Sequence, residues 1–204
     1  MRVWNLTFLV FLVSVSVPVG DVRSVRAASE SFPTMSGAID GIAANYKVSV
    51  GIEYATNGQD RTPITLDLSL LQPAIAFDSL VAQEPGYTWN FDHGVYDVYP
   101  KEHNGSILDL KIRMFSVHEA TPREISAAID ELPEVKQWMG KNQVRRRELQ
   151  VNGSSWDPSD RRVSLTIRDS TLRSILNRIG VETRRTRWTV GRYGSKAEFI
   201  GIYI

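Results

Sequence analysis

Few side chains in this sequence have the types and spacing that catalysis or metal binding needs. The three histidines, His93, His103 and His118, are well separated, and none has a second histidine four residues away, as a helical metal site requires. Asp92 and His93 could form a triad with a serine such as Ser79, but the glycine pattern of a nucleophile elbow is missing. No glycine-rich phosphate loop occurs either. We therefore expect a non-enzymatic protein with no catalytic residue, metal or cofactor.

Charge is divided unequally along the chain. Residues 28–139 contain 7 Lys/Arg and 16 Asp/Glu, a net charge of −9, whereas residues 140–196 contain 14 and 5, a net charge of +9. Two interpretations are open. The acidic front and basic back halves can attract each other within one fold, which we favour, or the arginines can bind a polyanion such as lipid headgroups, acidic glycans or nucleic acid. The anion-binding candidates are Arg145, Arg146, Arg147, Arg161 and Arg162.

The N-terminus predicts export from the cytoplasm. Arg2 precedes an uncharged, mainly apolar stretch from Val3 to Gly20, and Val25-Arg26-Ala27 supplies small residues at the −3 and −1 positions of a cleavage site. An uncleaved anchor is the alternative, since a membrane span needs about 17–25 residues. The chain has no cysteine, which excludes disulfide scaffolds, thiolate zinc sites and lipid-anchored lipoproteins. We expect a periplasmic or secreted protein without a transmembrane segment after signal cleavage.

Two stretches, residues 63–99 and 162–202, carry the same apolar pattern. Each begins with an alternating run typical of a half-buried strand: Ile64, Leu66 and Leu68, then Val163, Leu165 and Ile167. Each continues with an i, i+3, i+4, i+7 helix stripe: Pro73, Ala76, Phe77 and Leu80, then Leu172, Ile175, Leu176 and Ile179. Trp89 and Trp188 follow at the same offset, each in a second alternating run before a turn, which is Asp92-His93-Gly94 in the first copy. Each copy therefore predicts strand, helix, strand, strand.

The segments around this repeat complete two units. Ile39 to Tyr46 has helical spacing and Val48 to Tyr54 alternates, while Thr121-Pro122-Arg123-Glu124 predicts a helix start with a capping box. The expected fold is α+β, with two small modules that each pack helices on short mixed β-sheets. The expected divisions are a signal peptide (1–27), an N-terminal lead (28–36), a first module (37–100), a linker (101–106), and a second module (107–204) with an inserted loop (152–160).

The front half resembles a known family of envelope domains. IAANYKVSVGIEY (42–54) and ITLDLSLLQPAIAFDSLVAQEPGYTWNFDHGVYDVYP (64–100) resemble the short N-terminal domain shared by bacterial secretins and TonB-dependent outer-membrane transducers. In that family a helix leads into a strand, and a strand, a helix and a hairpin follow. Residues 163–204 resemble it more faintly. The resemblance implies a module that makes protein contacts in the periplasm, associated with envelope assembly, secretion or transport.

We therefore expect this chain to bind another envelope protein by strand addition. Strands at the edges of sheets offer unpaired backbone groups to a partner. Val48 to Tyr54 and Phe199 to Ile204 are expected to be such edges, which gives the candidate partner-binding residues Val50, Ile52, Ile200 and Ile202. Polyanion binding by the arginine-rich back half is the alternative function.

Overall fold

The computed structural model describes residues 29–55, 63–69, 72–102, 105–146, 162–184, 187–193 and 199–203. Within them the fold is α+β, as predicted, with helices packed on mixed β-sheets. The predicted signal peptide (1–27) and inserted loop (152–160) lie outside these residues. In the part of the chain that is described, no helix is long and apolar enough to cross a membrane.

Both halves of the chain have the same order of elements. The front half consists of β1 (Ser29–Phe32), α1 (Met35–Tyr46), β2 (Ser49–Glu53), β3 (Ile64–Asp67), α2 (Pro73–Gln83), β4 (Tyr87–Asp92) and β5 (Val95–Pro100). The back half consists of β6 (Lys111–Ala120), α3 (Pro122–Asp130), α4 (Pro133–Lys141), β7 (Arg145–Arg146), β8 (Val163–Thr171), α5 (Leu172–Thr183), β9 (Arg187–Tyr193) and β10 (Phe199–Tyr203). The back half adds α4 and, before β6, a 3-10 turn. The strand, helix, strand, strand order predicted for the repeat is present in both halves.

One strand in the front half has no counterpart in the sequence predictions. β1 lies in the lead expected over residues 28–36, and it pairs antiparallel with β3, from Ser29 opposite Asp67 to Phe32 opposite Ile64. Its sequence has a single apolar residue, so no alternation predicts it. Backbone pairing with β3 therefore defines this strand. β1 and β6 occupy equivalent places, each as the antiparallel partner of the strand that begins the repeat.

The two halves share one six-stranded sheet. Its strand order is β4-β5-β2-β9-β10-β7, so the first three strands belong to the front half and the other three to the back half. The halves meet where β2 pairs in parallel with β9, from Val50 opposite Arg187 to Glu53 opposite Val190. Each half has a hydrophobic core of its own, but the sheet runs through both.

The predicted edge strands both have neighbours on two sides in this sheet, β2 along its length and β10 at its first two residues. β2 has β5 on one side and β9 on the other, and Val50 and Ile52 are 1% and 0% exposed. β10 lies between β9 and β7, and Ile200 and Ile202 are also buried. The prediction of a sheet edge is wrong for Val50, Ile52 and Ile200, each of which has a paired strand on both sides, whereas β7 pairs with β10 only as far as Ile200. Alternation reports that one face of a strand is buried, and it carries no information about which strands lie beside it.

The helices of the two halves pack on opposite faces of the shared sheet. α1 and α2 lie on the face that carries Val50 and Ile52, between the shared sheet and the β1–β3 pair. α3 and α5 lie on the face that carries Trp188 and Val190, between the shared sheet and the β6–β8 pair. The strand directions agree with this arrangement. β4 and β9 are equivalent strands that run in opposite directions, so a half-turn about a line across the strands, combined with a shift of three strands along that line, relates the halves.

Candidate interaction surface

β4 and the two-residue β7 are the outermost strands of the shared sheet, and no described strand pairs with the outer side of β4. A two-residue turn joins it to β5, with His93 and Gly94 at φ of 50° and 82°, as expected for the predicted tight hairpin. Asp92 and Val95, on either side of this turn, exchange backbone hydrogen bonds with each other. Farther along the hairpin, pairs without such hydrogen bonds alternate with hydrogen-bonded pairs. That alternation directs the backbone N–H and C=O groups of Trp89 and Phe91 outward. β4 therefore offers free backbone groups at a sheet edge.

Aromatic side chains support this edge from one face. Phe77 of α2 stacks on Tyr96 with ring centroids 4.8 Å apart, and Trp89 lies 5.6 Å from Tyr96. The indole nitrogen of Trp89 donates to the Asp78 carboxylate over 3.0 Å, which fixes the ring. Phe91 lies 4.7 Å from Tyr96 and is 58% exposed. Phe91 is thus the exposed end of a packed aromatic cluster, which provides a rigid apolar contact.

An open groove of about 630 Å³ begins at Phe91. It lies where α1 and α5 end, and residues from both halves line it: Ala43, Ala44, Lys47, Val48, Ser49, Phe91, Gly94, Tyr96, Val181 and Arg184. Val181, from the back half, is 44% exposed. The groove is therefore a partly apolar surface that exists only when the halves are joined.

A second face of α5 holds the two halves together beside this groove. Arg173, Asn177 and Val181 are spaced four residues apart, so they form one stripe of the helix. The guanidinium of Arg173 donates to Glu53 of β2 over 2.6 Å and lies over the ring of Tyr99, 4.7 Å from its centroid. The side chains of Arg173 and Glu53 are each 11% exposed. A basic residue of the back half and an acidic residue of the front half therefore form a nearly buried ion pair between the halves.

Asp97 is the most deeply buried acid of this junction. Its side chain on β5 is fully buried, and one carboxylate oxygen accepts a 2.8 Å hydrogen bond from the Asn177 amide. The other carboxylate oxygen has no hydrogen-bond partner among the described residues. The amide oxygen of Asn177 accepts in turn from the Trp188 indole over 2.8 Å. Burial raises the pKa of Asp97 to about 7, although the Asn177 hydrogen bond and the Arg173 charge act in the opposite direction.

Close contact at the junction requires a glycine on β2. A Cβ atom at Gly51 would lie 2.2 Å from the Trp188 ring and 2.5 Å from the free carboxylate oxygen of Asp97. Both distances are far below van der Waals contact, so no other residue fits here without displacing its neighbours. Gly51 therefore lets the Trp188 ring of the back half pack directly against the backbone of β2.

The residues considered for a catalytic triad are not assembled into one. Asp92 accepts from Ser174 of α5 and lies 2.8 Å from the His93 ring, while Ser79 donates to a backbone carbonyl of its own helix. Burial alone would raise the pKa of Asp92, but hydrogen bonds from His93, Ser174 and Asn177 outweigh it and lower that pKa. Asp92 therefore joins the hairpin turn to α5.

Two of the arginines predicted to bind anions are used within the fold. Arg146 forms a 3.0 Å ion pair with Asp130 and donates to the backbone carbonyl of Ile202. Arg162 donates to the backbone carbonyl of Glu119 over 2.7 Å. Arg145 is exposed, and Arg147 and Arg161 lie outside the described residues. The arginine-rich segments therefore contribute at least in part to the fold itself.

His103 also lies outside the described residues. His118 contacts Ser164 across the β6–β8 pair, with 3.2 Å between the ring nitrogen and the hydroxyl oxygen. Among the residues whose positions are described, no group of three or more His, Cys, Asp or Glu side chains is placed to hold a metal ion.

Sequence reasoning missed both the β4 edge and the polar junction. Two signals for the junction were present: Asp97 interrupts an apolar strand, and Arg173 and Asn177 form a second stripe on a helix whose apolar stripe was already assigned. A charged residue between valines indicates a buried polar partner. The identity of that partner depends on how the halves meet, which no single segment encodes.

No known protein family, curated protein or solved structure matches this chain.

Proposed function

We propose that this chain is a non-enzymatic protein-interaction module of the cell envelope, periplasmic or secreted, that binds an extended segment of another envelope protein by strand addition to β4. One observation carries the proposal: the six residues of β4 form a sheet edge without a described partner strand, next to an exposed aromatic side chain and an open groove. The signal-like N-terminus supports the location. The resemblance to the short N-terminal domain of secretins and TonB-dependent transducers supports the class of partner.

Backbone pairing alone would give weak binding. Trp89 and Phe91 direct two N–H and two C=O groups outward, and each hydrogen bond contributes about 0.5–1.5 kcal/mol net, or about 2–6 kcal/mol for all four. Micromolar binding requires about 8 kcal/mol. The remainder has to come from apolar surface buried against Phe91 and the groove, at about 25 cal/mol per Å². A productive partner therefore needs apolar side chains as well as an extended backbone.

The β6–β8 pair also has strand edges, and β6 carries the exposed Met114. Part of the outer edge of β6 is covered, because the backbone N–H of Arg113 donates to the Glu134 carboxylate of α4 over 3.1 Å. The groove beside Phe91 favours β4 as the site of strand addition.

Replacing Phe91 with proline is expected to reduce capture of the partner from envelope extract at least tenfold. Proline removes one outward N–H together with the aromatic ring, and edge strands tolerate it because no ladder hydrogen bond is lost. Phe91→Ala keeps the N–H and should give an intermediate loss. Capture is measured by pull-down with quantitative mass spectrometry, and circular dichroism checks that the fold is retained.

Met114→Ala is the matched control, because it removes a comparably exposed apolar side chain from a strand of the other sheet. It should leave capture unchanged. A folded Phe91→Pro protein that captures as much partner as the wild type would contradict strand addition at β4.

A further inference from the structure

The groove beside β4 has a composition that restricts its ligand. Its apolar lining consists mainly of Phe91, Tyr96, Val48 and Val181, together with two alanines of α1. Among the described residues that line it, the charged ones are two cations, one from each half, Lys47 and Arg184. A ligand that fills the groove therefore meets an apolar floor and a positively charged rim.

Lys47 and Arg184 occupy equivalent positions at the ends of two helices. Lys47 is the C-cap of α1 and Arg184 is the C-cap of α5, both in the left-handed conformation, with φ of 54° and 56°. Both side chains are exposed, and neither forms an ion pair with a described residue. Carbonyl groups at each helix end carry about half a negative charge, so they offset about one of the two positive charges. The rim stays net positive.

This positive rim is unusual for its surroundings. Residues 28–100, which span the front half, contain only 2 Lys/Arg against 9 Asp/Glu, a net charge of −7. Two other cations of the back half are paired with acids of the front half: Arg187 of β9 binds Asp40 of α1 over 2.6 Å, and Arg173 binds Glu53. Lys47 and Arg184, which form no ion pair within the described part of the chain, are therefore available to a ligand.

We propose that the groove recognises an acidic, apolar segment of the partner protein. The extended segment that pairs with β4 places an apolar side chain next to Phe91 and Val181 and carboxylates next to Lys47 and Arg184. This inference rests on the proposed function, because the free backbone of β4 positions the segment along the groove. Charge complementarity of this kind gives selectivity and salt dependence.

The test is selection from a phage-displayed library of random ten-residue peptides. The wild-type protein should enrich peptides in which acidic and apolar residues alternate, and synthetic copies should bind more weakly as salt rises. The double variant Lys47→Glu/Arg184→Glu should bind those peptides at least tenfold more weakly and enrich basic peptides instead. Lys111→Glu/Arg168→Glu, which reverses two exposed cations on the β6–β8 pair, is the matched control and should select as the wild type does.

The outcomes separate this inference from the proposed function. Enriched peptides that are no more acidic than the library, or that bind the Lys47→Glu/Arg184→Glu protein equally well, would overturn the inference. In that case strand addition would stand if Phe91→Pro still abolished peptide binding. Enrichment that survives in Phe91→Pro would overturn strand addition. Binding of phosphatidylglycerol vesicles through Lys47 and Arg184 with no peptide enriched would overturn both.

Discussion

Replacing Asp97 with asparagine is expected to remove most of the pH dependence of stability between pH 4 and pH 7. The pKa of Asp97 is about 7 in the folded protein and 3.8 for the free side chain, because burial disfavours the charged form. The folded state thus keeps a proton that the unfolded state releases, and stability falls as the pH rises from about 4 to about 7. At about 1.4 kcal/mol for each pKa unit, the loss is on the order of 4 kcal/mol.

Urea unfolding at a series of pH values measures this effect. The wild type should be most stable near pH 4 in this window and lose stability up to pH 7, whereas Asp97→Asn should show a much flatter profile and exceed the wild type at pH 8. Asp169→Asn removes an exposed acid and serves as the control. Two results would contradict a raised pKa for Asp97: wild-type stability that rises between pH 4 and pH 7, or Asp97→Asn stability that falls as steeply as that of the wild type.

Replacing Arg173 with methionine is expected to cost about 3–5 kcal/mol of unfolding free energy at pH 7.5. The change removes the cation that faces Glu53 across the junction and leaves that carboxylate nearly buried without its partner. It also removes the guanidinium over the Tyr99 ring. Because Arg173 belongs to the back half and Glu53 to the front half, the loss should weaken the contact that holds both halves in one sheet.

A double-mutant cycle tests the assignment of that loss to the ion pair. Glu53→Gln in the Arg173→Met background removes the uncompensated charge, so the double variant should be less destabilised than the sum of the two single variants. Denaturant unfolding followed by fluorescence of the buried Trp188 gives the four free energies. A loss below about 1 kcal/mol for Arg173→Met, or strict additivity, would mean that the pair does not hold the junction.

Sequence patterns predicted the elements better than their arrangement. The turn at His93-Gly94 and the capping box, in which Thr121 and Glu124 exchange hydrogen bonds, were both predicted, because each depends on a few neighbouring residues. β1 was missed because a four-residue strand with one apolar side chain carries no periodic signal. Val50 and Ile52 were correctly assigned to an alternating strand and wrongly placed at an edge. Burial of one strand face is a local property, whereas the neighbour of a strand is decided by a segment more than 130 residues away in this chain.

The polar junction illustrates the same limit for the candidate site. Asp97 and Asn177 are 80 residues apart, and neither has a short motif around it that indicates the other. The charge division of the sequence favoured attraction between the halves, and the ion pairs of Arg173 and Arg187 are of that kind. The surface that we propose for the partner became visible only when the shared sheet showed which strand is left at its edge. The resemblance to the secretin and TonB short domain stays a prediction.

Site-specific photocrosslinking in the native envelope tests strand addition at β4 most directly. p-Benzoylphenylalanine is placed at position 91, where the wild-type ring is 58% exposed, and in a second protein at position 114, where Met114 is 53% exposed on β6. Strand addition at β4 predicts a discrete protein adduct from position 91 that disappears when Trp89 is also replaced by proline, and no such adduct from position 114. Adducts of equal yield from both positions, or an adduct from position 114 alone, would contradict binding at the β4 edge.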